Sequence, residues 1–178
     1  MSLMSSDMAS MQLLSEGNQL RLLAQKGFHL QSATFWEWVH LDSASTCGLA
    51  LFAGSRMVVP DVETCDFMAG TADLDEYRRS NIRAVQSTPL VSRSGQLLGM
   101  ISTHWREPHQ PLGLALRRLD VLARQAADLI ERDRTEAVLA LRNDAETVLA
   151  NTPFLLTRCS SDLSFRKRSV RENDRPPS

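Results

Sequence analysis

Between Arg83 and Trp105, two strand-like runs flank Arg93-Ser94-Gly95-Gln96, a short turn that contains glycine. Runs of this kind around such a turn predict a β-hairpin. The runs are not plain core strands. Ser87, Thr88, Ser102, Thr103 and His104 are threaded through otherwise apolar residues. A strand packed on ordinary core seldom carries so many polar groups, whereas a strand lining a small-molecule pocket often does. The hairpin then hands over, through Pro108 and Pro111, to a long helical pattern. That order, a cupped sheet followed by a helix that can carry a change away, suits a ligand-responsive module.

The residues before the hairpin supply the remaining elements. Met8 to Ser15 alternates weakly, Glu16-Gly17-Asn18 is a turn signal, and Gln19 to Gln25 reads as a second strand that Gly27 ends. Leu30 to Leu41 spaces Phe35, Trp36 and Val39 at near-helical intervals and predicts a short helix. The polar loop Asp42-Ser43-Ala44-Ser45-Thr46 offers N-caps for a brief helix over Cys47 to Phe52, which Gly54 stops. Arg56 to Val59 predicts a middle strand closed by Pro60-Asp61, and Leu74 to Arg79 a helical segment. From Leu112 the pattern is one long helix. Leu112, Leu116, Leu119, Ala123, Ala126 and Ile130 fall near heptad spacing, Asp133 interrupts the seam, and the helix is expected to reach about Asn151 before Pro153. Such a helix either packs on its own sheet and frays, or packs there and then leaves to pair with a second copy. The second reading is preferred, with those six residues as the dimer seam. Asp120, Arg124, Asp128, Glu131, Arg132 and Arg134 read as a solvated or interhelical charged face.

Composition sets the class. The chain has 178 residues, 43% of them hydrophobic, and a net charge of −1. That length allows one well-buried domain plus extensions. The charge gives no nucleic-acid footprint and no attraction to acidic membranes. No apolar run is long enough to span a bilayer, and the N-terminus lacks the basic and apolar regions of a secretory signal. Met1-Ser2-Leu3 ahead of Met4 reads as a scar of expression, and residues 1–7 are set aside as a tag or disordered start. Three cysteines, Cys47, Cys65 and Cys159, suit a reducing cytoplasm better than a disulfide scaffold. Residues 8–132 are expected to form the domain and 133–150 a helical linker. Thr152 to Ser178 is unlike the rest and is expected to be a disordered tail, Phe165 to Ser178 above all, which is charged and has few apolar anchors.

The element order, together with Leu20 to Phe28, Cys47-Gly48-Leu49-Ala50, Val58-Val59-Pro60-Asp61-Val62, Ala84 to Leu90 with Gly99 to His104, and Leu119 to Ala127, resembles the GAF domains of bacterial sensor histidine kinases over roughly Met8 to Arg132. The resemblance implies an α+β fold of GAF/PAS type: a central antiparallel sheet with helices on both faces and a long C-terminal helix. It also implies a pocket on one sheet face, roofed by residues 35–51 and 61–82. From the roof, Phe35, Trp36, Cys47, Leu51, Cys65 and Tyr77 are the candidates. From the sheet, alternation groups Met100, Ser102 and His104 on one face, and His104 matches a pocket histidine of bilin-binding relatives. The neighbouring strand contributes Gln86 and Thr88, or else Val85 and Ser87; Gln86 and Thr88 are the pair preferred. Further on, Leu149 to Leu163 resembles the first strands of a PAS domain, without the remainder of one and without a kinase output region. The chain thus resembles a truncated sensor, and the family's first helix before the opening strand is missing or very short.

The resemblance also bears on cofactors. Bilin attachment is disfavoured, because no cysteine sits beside a histidine in the roof and the phytochrome segment is reduced to Pro60-Asp61-Val62. The cyclic-nucleotide signature is not found. Haem ligation by His104 stays open because it needs one histidine. A metal site fails on spacing: Cys47, Cys65 and His104 show no paired ligands. Free methionine-(R)-sulfoxide reductase is a GAF-fold enzyme, and Thr46-Cys47-Gly48-Leu49-Ala50 resembles one of its cysteine motifs. Its catalytic cysteine has no counterpart between Cys65 and Cys159, and Cys65 is the one residue that could substitute. Three readings follow. The first is a cytoplasmic, homodimeric sensory or regulatory module that binds a small molecule and does no catalysis. The second is a reductase of that type. The third is a structural dimerisation unit whose pocket is filled by Phe35, Trp36 and Phe67.

Overall fold

The computed structural model describes residues 4–15, 17–40 and 42–166, with side chains as far as residue 147. Six strands make one antiparallel sheet. They are β1 (Met8–Ser15), β2 (Gln19–Lys26), β3 (Trp38–Val39), β4 (Met57–Val59), β5 (Ala84–Val91) and β6 (Leu97–Trp105), in the order β3-β2-β1-β6-β5-β4. The helices are α1 (Leu30–Phe35), α2 (Thr46–Ala53), α3 (Ala72–Arg79) and α4 (Gly113–Arg166), with 3-10 turns at Val62–Thr64 and Asp66–Met68. The α+β architecture expected from the sequence is therefore present.

Local chemistry explains the boundaries. Gly17 and Asn18 both take positive φ, which turns β1 into β2. Ser45 caps α2 by accepting from the Gly48 amide, and Gly54 ends it in the left-handed region. Thr71 caps α3 through the Leu74 amide. Gly99 has a different reason: a Cβ there would overlap the backbone carbonyl of Gln12 on β1.

Three expectations are corrected. The helix over Leu30 to Leu41 stops at Phe35, and Trp38–Val39 forms β3 instead. β3 pairs Val39 with Leu20 and Trp38 with Arg21, and the Glu37 carbonyl accepts from the Leu22 amide. β3 covers the open side of β2 and gives its backbone groups partners. The Arg21 guanidinium lies over the Trp38 ring at 5.4 Å. The segment Leu149 to Leu163, likened to the opening strands of a PAS domain, is helical and belongs to α4, which continues through Pro153. A strand needs a partner to pair with, and a run of good helix formers precedes this segment. The disordered tail expected from Thr152 is helical as far as Arg166, and residues 167–178 lie outside the described ones.

The sheet is covered on both faces. One face holds the main core, where Met8, Leu20, Val59, Val85 and Met100 pack with Trp36, Leu51, Val62, Leu74 and Tyr77. The other face receives α4. Leu119 packs with Ala84 and Trp105, while Ala123 and Ala127 pack with Leu90 and Leu98. This overturns the dimer seam. Leu116, Leu119, Ala123, Ala126 and Ile130 lie against the sheet, and Leu112 precedes the helix and is 76% exposed. The outward apolar residues of this stretch are Leu114, Val121, Leu122 and Leu129. The heptad-like pattern was an ordinary amphipathic face.

The chain divides into Met1–Arg132, which holds the sheet, and Asp133–Ser178. In the second unit Val138, Leu139 and Leu141 are exposed, and Arg142 pairs with Glu146 one turn on. Among the described residues no helix is long and apolar enough to cross a membrane.

Candidate functional site

β1, β6 and β5 lie side by side, and their inward residues form transverse rows. Met8, His104 and Val85 make one row, and Ser10, Ser102 and Ser87 the next, with Met57 of β4 beyond Ser87. α2 lays Cys47 over the serine row. Its Sγ lies 3.1 Å from Ser102 Oγ and 3.3 Å from Ser87 Oγ, and the two serines are 2.8 Å apart. Ser87 Oγ donates to Thr46 Oγ1 at 3.0 Å, which lies 3.4 Å from the Tyr77 hydroxyl. Each member of this chain is buried and partnered. Burial pushes the Cys47 thiol up, against the hydrogen bonds from Ser102 and Ser87, and it raises the Tyr77 phenol as well. Both stay protonated at neutral pH, so Cys47 is a poor nucleophile here.

Trp36 closes the compartment. α3 presents Asp73 and Tyr77 one turn apart, and both meet this indole. Its Nε1 donates to Asp73 Oδ1 at 3.1 Å, and Ser43 Oγ donates to the other carboxylate oxygen at 3.1 Å. The ring lies 5.0 Å from Tyr77, 5.5 Å from Phe28 and 6.5 Å from His104, on which it stacks. Gln12 Nε2 donates to the Trp36 carbonyl at 3.3 Å. His104 is 3% exposed, and burial pushes its pKa down to about 3 against a hydrogen bond with the Met8 backbone. It is the neutral imidazole across the physiological range. A cavity of about 10 Å³ remains among these groups, the room of about one water.

The structure sorts the sequence candidates. Trp36, Cys47, Tyr77 and His104 line the cavity. Ser102 and Met100 share their face, Ser102 beneath Cys47 and Met100 in the core, as does Leu51. Phe35 is 38% exposed and touches Trp36 edge-on from outside. Cys65 sits half-buried against the core, away from the cavity lining, and burial raises its thiol too. Phe67 is exposed.

Gln86 and Thr88 lie on the opposite face. Gln86 Nε2 donates to Thr103 Oγ1 at 3.1 Å, and Thr88 Oγ1 donates to Gln86 Oε1 at 2.7 Å. Arg56 Nε reaches Thr88 Oγ1 at 2.8 Å, and the same guanidinium pairs with Asp120 of α4. Val85 and Ser87 take the pocket face instead. The cause is a register shift between Leu90 and Val91. Val91 opposes Leu97 at the turn. Continued unbroken, that ladder would set Gln86 opposite Ser102. The shift sets Ser87 there, and one residue of slip exchanges faces.

Sequence reasoning missed Ser10, Gln12 and Phe28, which also line the cavity. The signal was available in β1, where Ser10 and Gln12 alternate with apolar neighbours as Ser102 and His104 do in β6. Among the described residues no group of histidines, cysteines and carboxylates is placed to hold a metal.

Neither a family model nor a curated protein matches the sequence. Solved structures do. A domain of a protein named as a two-component sensor histidine kinase from Sinorhizobium meliloti superposes with a TM-score of 0.63 at 21% identity, covering 78% of this chain and 88% of that one. The GAF domain of a phosphoenolpyruvate-protein phosphotransferase from Coxiella burnetii gives 0.62 at 16% identity, covering 75% and 76%. This is the GAF fold. The same GAF scaffold carries the type II free methionine-R-sulfoxide reductase of Thermoplasma acidophilum, with a TM-score of 0.56 at 18% identity over 71% of this chain and 80% of that one. Fold alone therefore leaves both binding and catalysis possible, and the residues of the site must decide.

Proposed function

We propose that this GAF domain is a non-catalytic sensory or regulatory module of a signalling protein, which couples a small-molecule pocket to helix α4. The observation that carries the reading is the division of labour across the sheet. Buried polar side chains of β1, β5 and β6 turn toward a roofed compartment on one face, and α4 is fastened to the same strands on the other. Arg56 ties β4 and β5 to Asp120, and Arg93 at the hairpin tip pairs with Asp128 at 2.9 Å. A ligand that shifts β5 against β6 would move both ties. A coupling of ~1–3 kcal/mol between pocket and helix is enough for a signal. A homodimer and a cytoplasmic location belong to the same proposal, the second supported by the sparse cysteines.

Native mass spectrometry of the purified chain tests the pocket. A bound compound of defined mass that is lost on denaturation is the expected result. A bare chain that stays bare after incubation with cell extract favours a second reading, a structural unit that fills its own hollow. One observation supports that reading: the Trp36 indole, in contact with four rings, leaves about 10 Å³. The reductase reading draws less support, because Cys47 is held as a buried thiol and Cys65 is not in the cavity wall. A haem does not fit a compartment of this size around His104.

A further inference from the structure

Two buried atoms of the compartment have no hydrogen-bond partner among the described protein groups: Gln12 Oε1 and His104 Nδ1. Their residues are 2% and 3% exposed, and both line the cavity. What the same side chains do elsewhere fixes the chemistry of these atoms. The Gln12 amide donates through Nε2 to the Trp36 carbonyl, so its oxygen is the free end. Gln12 Oε1 is therefore an acceptor. His104 is a neutral imidazole with one N–H. Taken with that proton on Nε2, its unpartnered Nδ1 is a second acceptor.

Of the other polar groups in the wall, only the Ser10 hydroxyl, between Met8 and Gln12 on β1, has no partner among the described residues. Ser45 caps the Gly48 amide, Cys47 meets Ser102, and Tyr77 meets Thr46. Among the described residues no lysine or arginine lines the cavity. Along β1, Gln12 lies four positions from Met8, the partner of His104. At ~3.3 Å per residue, the two backbone anchors are roughly 13 Å apart. Both acceptors nevertheless line the one small cavity, against the Trp36 ring, which packs among Phe28 and Tyr77. Trp36 directly follows α1, a helix of six residues with no side-chain cap at its N-terminus.

Resting on the pocket reading above, we infer that the compartment selects a small flat ligand presenting hydrogen-bond donors at its rim, an amide, amidine or N–H heterocycle, and rejects the matching carboxylate. The ligand takes the space that Trp36 fills and gives Gln12 and His104 the donors they lack. An anion would meet two lone pairs and no cation, with the Ser10 hydroxyl as the one free donor. A site whose buried polar groups need donors discriminates strongly against an isostere without them.

Benzamide, benzamidine and benzoate have one shape and differ in donors and charge. Each is titrated into the full chain and followed by tryptophan fluorescence and by the thermal midpoint. Benzamide and benzamidine are expected to bind at least about tenfold more tightly than benzoate. In Gln12→Met, checked for fold by circular dichroism, that preference is expected to shrink. Benzoate binding as well as benzamide would overturn the inference and leave the pocket reading standing. Failure of all three to bind would also overturn it. The mass measurement then judges the pocket separately: a retained compound keeps that reading, and a bare chain removes both.

Discussion

His104 carries the largest pH consequence of any single side chain in the compartment. Its folded pKa of about 3 lies below the ordinary histidine value of 6.5, so the unfolded chain binds the proton that the native state refuses. Stability from this group is complete above pH 6.5 and is lost as the pH falls toward 3. Between pH 7 and pH 5 the loss is about 2 kcal/mol. Urea unfolding at the two pH values checks this, and His104→Phe is expected to flatten the difference. An equal slope in both proteins would remove burial of a neutral imidazole as the cause. At this scale the sequence was partly legible. Met100, Ser102 and His104 could be placed on one face because alternation within a strand needs no partner. Gln86 and Thr88 could not be placed, because their face depends on a slipped pairing near the hairpin turn that no composition signal marks. Gln12 was legible in principle, since its polar neighbour Ser10 repeats the β6 pattern.

Among the elements, α4 is the one whose attachment can be tested directly. Its apolar stripe from Leu116 to Ile130 packs on the sheet, and Arg56–Asp120 and Arg93–Asp128 flank that contact. Partly exposed pairs of this kind are worth little each, about 0.2–1 kcal/mol. Arg56→Met is therefore expected to leave the fold intact and to speed amide exchange along residues 115–130 by a fewfold, with α2 unaffected. The double exchange Arg56→Asp with Asp120→Arg should restore protection. Uniform exchange across both helices would show that the pair does not fasten α4. The periodicity of α4 announced a helix with one apolar side, but not what that side meets, because a sheet and a second helix ask for the same stripe. α1 was overextended for a related reason. Trp38 and Val39 suit a strand as well as a helix end, and only the open side of β2 decides between them.

For the molecule as a whole, the order of elements was the most legible feature. Strand pair, roof helices, hairpin and closing helix follow turn chemistry that local residues declare, and the GAF architecture follows from that order. Assembly was not legible, because five of the six residues first assigned to it are taken up within the fold. If the chain pairs with a second copy through α4, the outward residues Leu114, Val121, Leu122 and Leu129 are the available stripe. Light scattering across a concentration series is expected to report a dimer, and Leu122→Glu with Leu129→Glu to report a monomer with an unchanged thermal transition. A wild-type monomer at high concentration would end the dimer proposal. The strand order has one more effect. β1 is flanked by β2 and β6, so Met8 waits for His104 while nearly the whole domain is made between them. On the ribosome the first hairpin emerges with one long edge bare, and that edge stays open until the last strand arrives. Closing so large a loop is slow. This domain should therefore be most prone to misassembly during synthesis, and lowering the expression temperature should raise its soluble yield.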